Sequence, residues 1–176
     1  MAGAFFSSVW VFIVSLLLII EEVDYISHIW IASVPLFLAG FFEDLTGKVS
    51  PLLRLFFISA SVLIIYYWNG LGIFYLGFDI IDLLLSKYKI MSLFFTLLVV
   101  GGAVNSLNII DGFNGLLGGY SIFAFLAIAY VAFTLGDELI LQLSLMVVVS
   151  IFGFFVFNFP FGKIFMGDGG AYFVGF

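Results

Sequence analysis

Apolar and polar positions along this chain separate into long blocks, on the length scale of a lipid bilayer. Continuous apolar runs cover Phe5–Ile20, Ile26–Phe42, Leu52–Trp68, Ile90–Leu107, Leu116–Leu135 and Leu139–Phe157, and another opens near Ala171. Each run is close to the about 17–25 residues that cross a membrane as a helix. A helix is the natural form, because backbone groups in lipid must find their partners within the segment. A membrane β-barrel would instead show segments of about ten residues with alternating polarity. The pattern therefore predicts an all-α, polytopic transmembrane bundle with six spans and the start of a seventh, in one multi-pass domain over residues 1–176.

The stretch Asn69–Lys89, "NGLGIFYLGFDIIDLLLSKYK", interrupts this pattern. It is apolar in patches, but Asp79 and Asp82 would be expensive to carry through lipid. It reads as an interfacial loop with a short amphipathic helix around Phe78–Leu85. Crossings can then be counted. The polar loops "EDLTGKVSP", "NSLNIIDGFNG" and "NFPFGKIFMGDGG" follow the second, fourth and sixth spans, so all three face one compartment. The clusters "EEVDYISH", Asn69–Lys89 and "GDE" face the other. Lys48, Arg54 and Lys163 lie on the motif face, and Lys87 and Lys89 opposite it, which places the motif face in the cytoplasm by one residue.

Composition agrees with the membrane reading and narrows the chemistry. The chain is 65% hydrophobic and only 9% charged, against about 25% charged in an ordinary globular domain. With no cysteine and a single histidine, His28, thiolate chemistry and histidine metal clusters are excluded. A net charge of −6 is not a nucleic-acid footprint, which needs a basic patch. The first apolar run lacks a positive leader, so it reads as an uncleaved span. The closing "AYFVGF" opens an apolar run and stops short of a crossing, so the chain is expected to be a piece of a longer protein.

The three loops on the motif face hold the candidate chemistry. Glu43 and Asp44 follow a span directly, with Lys48 and Arg54 close behind. Adjacent carboxylates can bind a divalent cation, act as a base, or simply end a helix; the two cations can hold a phosphate. Asn105, Asn108 and Asp111 are spaced to share one helical face, and glycines follow. Such a stripe suits a polar ligand or a hard cation, or a hydrogen-bonded helix contact. Asp168 lies between Gly167 and Gly169 at the opening of a helix, where it can act as a cap favoured by the helix dipole or as a Mg²⁺ ligand beside N–H groups that face an anion. Jointly, hard oxygen ligands and a few cations at one membrane face suggest magnesium-dependent phosphoryl chemistry on a lipid substrate.

"EDLTGKVSPLLRL", "NSLNIIDGFNGL" and "IFMGDGGAYFVG", in that order, resemble the polyprenyl-phosphate N-acetylhexosamine-1-phosphate transferases (glycosyltransferase family 4), over most of the chain from about Ala39. This superfamily includes the undecaprenyl-phosphate GlcNAc-1-phosphate transferases and the phospho-N-acetylmuramoyl-pentapeptide translocases. The resemblance implies attack by a polyprenyl phosphate on the β-phosphorus of a UDP-N-acetylamino sugar, with UMP as leaving group and Mg²⁺ (or Mn²⁺) as cofactor, for cell-envelope polysaccharide synthesis. It further implies a bacterial cytoplasmic (inner) membrane location, with the site facing the cytoplasm. Carried over by position, Asp168 and Asn108 are metal-side residues. Glu43, Asp44 and Asp111 are catalytic, and Lys48, Arg54, Asn105, Asn114 and Lys163 bind substrate. Glu43 stands where the family usually has aspartate, and Asn114 where many members have aspartate. The family's later His- and Arg-rich loop, its final spans and its usual N-terminal segment have no counterpart in these residues. A membrane transporter or an inactive remnant are the competing readings, and a homodimer is compatible with helix pairing in the bilayer.

Overall fold

A computed structural model describes residues 24–176, with side chains from His28 onward. The expected first span, Phe5–Ile20, lies outside the described residues. The regular structure of the described residues is all helical: α1 (Asp24–Thr46), α2 (Pro51–Asn69), α3 (Asp79–Lys87), α4 (Lys89–Ile110), α5 (Leu116–Leu135), α6 (Glu138–Asn158) and α7 (Gly167–Gly175). Five of these, α1, α2, α4, α5 and α6, are long and apolar enough to cross a membrane. Their outward faces carry exposed Leu98, Phe123, Phe133, Val149 and Phe152, as expected of side chains that meet lipid. This is a polytopic helical membrane protein.

Local chemistry explains the helix ends. Ser50 caps α2 through Oγ, which accepts from Leu53 N–H at 3.2 Å, and Pro51 opens the helix. Asp137 caps α6 by accepting from Ile140 N–H at 3.0 Å. The helix after Phe78 runs over Asp79–Lys87, starting one residue later and ending two residues later than expected. It is fastened by Asp82, whose two oxygens accept from the N–H groups of Leu76 (2.6 Å) and Gly77 (3.0 Å). The seventh helix opens at Gly167, four residues before the expected Ala171, because its first turn is glycine-rich and escapes an apolar pattern.

The Asn69–Lys89 stretch stays at one end of the bundle and does not cross. Asn69 Nδ2 lies 3.3 Å from His28 Nδ1, the Tyr66 hydroxyl donates to Lys89 C=O, and Ser92 and Thr96 of α4 bond the backbone of Ile73. The odd number of crossings that would have separated the motifs is thereby avoided. Short α7 occupies the centre. Tyr172 joins Leu36, Ile58, Val62 and Val104 in one buried cluster, while Ala171 and Val174 join Leu107, Leu117, Ile151 and Phe154 in another. Small residues make this seat possible, as is usual where helices pack within lipid. A Cβ on Gly40 of α1 would fall on the backbone of Asp168 and Gly169.

Candidate active site

The first turn of α7 is the focus of the site. Its leading N–H groups have no partners within the helix, and two carboxylates from other helices share them. Asp44, in the last turn of α1, accepts from Asp168 N–H at 2.8 Å and Gly169 N–H at 3.1 Å. Asp111, the residue that ends α4, accepts from Met166 N–H at 3.3 Å and Gly167 N–H at 2.9 Å. Negative charge is favoured at a helix N-terminus, so the two acids complete α7 while α7 gathers the two acids. Gly167 is required between them. Its φ of +78° suits glycine, and a Cβ there would meet the Asp44 carboxylate at 2.7 Å.

Asp168 sits in that same turn and presents its side chain to α4, where Asn108 Nδ2 donates to its Oδ1. Asn108 and Asp111 are three residues apart and so share a face. Three carboxylates thus come from three separate helices. Burial pushes the Asp111 carboxyl up to about 6; the Gly167 and Met166 N–H groups oppose this, and the charges of Asp44 and Asp168 add to it. The carboxyl therefore takes up a proton as pH falls toward 6, and a cation placed beside it would keep it ionised to lower pH.

The adjacent acids of the first motif divide their tasks. Glu43 turns to its own loop, with Oε2 accepting from Val49 N–H at 2.7 Å, while Asp44 reaches α7. Arg54, in the first turns of α2, lays its guanidinium over the Tyr172 ring, with Cζ 5.2 Å from the centroid. Other residues of the expected set make no hydrogen bond to the three acids among the described residues. Asn105 bonds back to Gly101 C=O of its own helix at 2.7 Å. Lys48 is exposed on the α1–α2 loop, Lys163 extends over Phe161, and Asn114 lies over Gly162.

Two contributors were not singled out by the sequence. Buried Asn158 donates to Ile164 C=O at 2.7 Å and accepts from Gly115 N–H, tying the α4–α5 loop to the α6–α7 loop. Its signal was an amide at the end of an apolar run. Tyr172 is the other; within "GDGGAYFVG" it reads as one more apolar position.

Among the described residues, no group of three or more His, Asp or Glu side chains is arranged to hold a metal unaided. Asp44 and Asp111 spend both oxygens on backbone N–H groups, which leaves an oxygen of Asp168 without a hydrogen bond among the described residues. A donor set of hard oxygens with one available carboxylate fits Mg²⁺, which commonly takes one or two carboxylates and completes its shell with water and substrate phosphates.

The fold and the acid cluster define a class: a polytopic helical membrane protein with a polar site at one end of its bundle. The chain belongs to Glycosyl transferase family 4, whose family model matches residues 26–176. It is 36% identical over 142 residues to a probable undecaprenyl-phosphate N-acetylglucosaminyl 1-phosphate transferase of Bacillus subtilis (strain 168), covering 78% of this chain and 37% of that protein. It is 44% identical over 71 residues to a phospho-N-acetylmuramoyl-pentapeptide-transferase of Oceanobacillus iheyensis, covering 40% of this chain and 22% of the relative. The corresponding protein of Lactiplantibacillus plantarum is 35% identical over 102 residues, 58% of this chain and 28% of the relative. The chain thus spans well under half the length of these curated relatives.

Proposed function

We propose that this chain carries the catalytic face of a phosphoglycosyl transferase. It moves a phospho-N-acetylamino sugar from a UDP-sugar to a polyprenyl phosphate and releases UMP, at the cytoplasmic face of a bacterial inner membrane. The observation that carries the reading is the convergence of Asp44, Asp111, Asp168 and Asn108 on the first turn of α7, at one end of a membrane bundle. A site at that boundary lets a lipid phosphate approach from the bilayer and a nucleotide sugar from water. The names of the relatives point to the same chemistry.

In this reading Asp168, held by Asn108, is the residue that would bind Mg²⁺. When bound, the ion supplies charge neutralisation for the pyrophosphate. Asp44 and Asp111 hold α7 in register, so that Asp168 faces the reacting phosphates, and Glu43 holds the loop that carries Lys48. Arg54 and Lys48 attract and orient phosphate, Asn114 and Lys163 are further substrate contacts at the same end, and Asn105 acts within its own helix through its bond to Gly101 C=O. The phosphate of the lipid forms a bond to the β-phosphorus, the bond from that phosphorus to the bridging oxygen breaks, and UMP carries the electron pair away.

The test uses membranes carrying the protein, incubated with UDP-GlcNAc, undecaprenyl phosphate and Mg²⁺, with UMP release as readout. EDTA and Asp168→Ala are each expected to abolish release. Release that persists in Asp168→Ala would overturn the metal role.

A further inference from the structure

Beside the acid cluster lie two hydrogen-bond donors with no acceptor among the described residues. Arg54 Nε and the Tyr172 hydroxyl are both buried, and neither has a hydrogen-bond partner among the described residues. Tyr172 is fully enclosed, at 0% exposure. Burying a polar group unpaired is costly. Phenylalanine would fill the same space against Leu36, Ile58, Val62 and Val104 without that cost, so packing does not account for a tyrosine here.

The two donors belong to one locality. Arg54 Cζ stands 5.2 Å from the centroid of the Tyr172 ring, a cation–π contact that steadies the guanidinium. Tyr172 follows Asp168 by four residues on α7, so the two share a face. Side chains on a helix lean toward its N-terminus, which carries the phenol toward the acids. The charges that act on its hydroxyl are those of Asp168, Arg54, Glu43 and Asp44. None of those carboxylates accepts from either donor: both oxygens of Asp44 hold the Asp168 and Gly169 N–H groups, Glu43 Oε2 holds Val49 N–H, and Asp168 Oδ1 holds Asn108, its other oxygen being the one available to a cation. Two buried donors that no neighbouring carboxylate satisfies call for a further oxygen that carries negative charge and accepts. A phosphate oxygen has that chemistry.

We infer that Tyr172 and Arg54 form a single subsite for a phosphate oxygen, in which the Tyr172 hydroxyl donates to the phosphate while its ring holds the Arg54 guanidinium toward the same group. Tyr172 is thus both a ligand contact and a positioning residue for Arg54. The inference rests on the transferase reading only for the source of the phosphate, which is either the monoester of a polyprenyl lipid or the diphosphate of a nucleotide sugar.

The experiment titrates purified protein in detergent micelles, with Mg²⁺ present, against undecaprenyl phosphate and separately against UDP-GlcNAc. Binding is read from ligand-dependent thermal unfolding, and UMP release is followed in parallel. Tyr172→Phe keeps the ring and removes only the hydroxyl, so its unliganded unfolding midpoint is expected to stay level or rise. Its Kd for at least one of the two ligands is expected to rise about tenfold, the scale of one hydrogen bond to a charged group. Arg54→Gln should weaken the same ligand further, and the double variant should lose less than the product of the two single losses, because both act on one group. A loss confined to undecaprenyl phosphate assigns the subsite to the lipid; one confined to UDP-GlcNAc assigns it to the nucleotide. A Tyr172→Phe protein that binds both ligands like the wild type overturns the inference, as does a wild type that neither ligand stabilises. Phosphate binding that depends on Tyr172 without any UMP release would uphold the subsite and sink the transferase reading instead.

Discussion

At Asp44 both carboxylate oxygens accept backbone N–H groups of α7, whereas Asp168 accepts a single side-chain bond from Asn108. Substitutions at the two positions should therefore separate stability from activity. Asp44→Ala leaves two N–H groups of a helix terminus without their charged acceptor. Hydrogen bonds to charged groups are worth about 1.5–3 kcal/mol each, so a loss of several kcal/mol is expected, measured as a lower thermal midpoint in detergent. Asp168→Asn keeps an oxygen for Asn108 and should unfold within about 1 kcal/mol of wild type, yet lose UMP release. An Asp168→Asn protein that unfolds as easily as Asp44→Ala would show Asp168 to be structural. Asp111 adds a pH dependence of definite sign. Its carboxyl titrates near 3.8 in an unperturbed state and at about 6 in the fold, so the fold binds this proton more tightly. This group alone makes the protein less stable as pH rises from about 4 through about 6, levelling off about one unit above that.

On the scale of elements, α7 is a nine-residue helix, too short to stand alone in water or to span a bilayer. Its place is set by contact. Gly40 admits its backbone to α1, and Asn158 closes the loop that leads into it. Gly40→Ala places a methyl group on the Asp168–Gly169 backbone and should cost about 1–3 kcal/mol along with most of the activity. Gly102→Ala on α4 has open space around it and should be neutral or slightly stabilising. Thermal unfolding of the pair checks this, and equal destabilisation would mean that α1 and α7 are not in close contact. Asn158→Leu should cost about 1–3 kcal/mol through the Gly115 N–H and Ile164 C=O left unpaired.

Across the whole molecule, the end bearing the acids and the end bearing Asn69–Lys89 lie on opposite sides. The native chain has no cysteine, so single cysteines report sidedness directly. Thr46→Cys and Phe161→Cys should be labelled by an impermeant maleimide from one side of sealed vesicles, and Lys87→Cys only from the other. All three positions are exposed. Labelling of all three from one side would break the crossing count and separate the motifs.

Much of this molecule was legible before any coordinates. Spans appear in the sequence because lipid demands about 20 apolar residues in succession, a requirement each segment meets by itself. The loop character of Asn69–Lys89 was readable from Asp79 and Asp82, and the sharing of a face by Asn108 and Asp111 from their spacing. Tertiary structure alone decided that Asp44 and Asp111 would each grip the same helix end, that Glu43 would turn away from its neighbour, that Asn105 would bond to its own backbone, and that Arg54 would rest on Tyr172. Insertion into a membrane is settled segment by segment, by the solvation of each stretch of chain. A site assembled from three helices depends on which surfaces come close enough to touch, and that depends on glycines and a tyrosine whose partners lie more than a hundred residues away in the sequence.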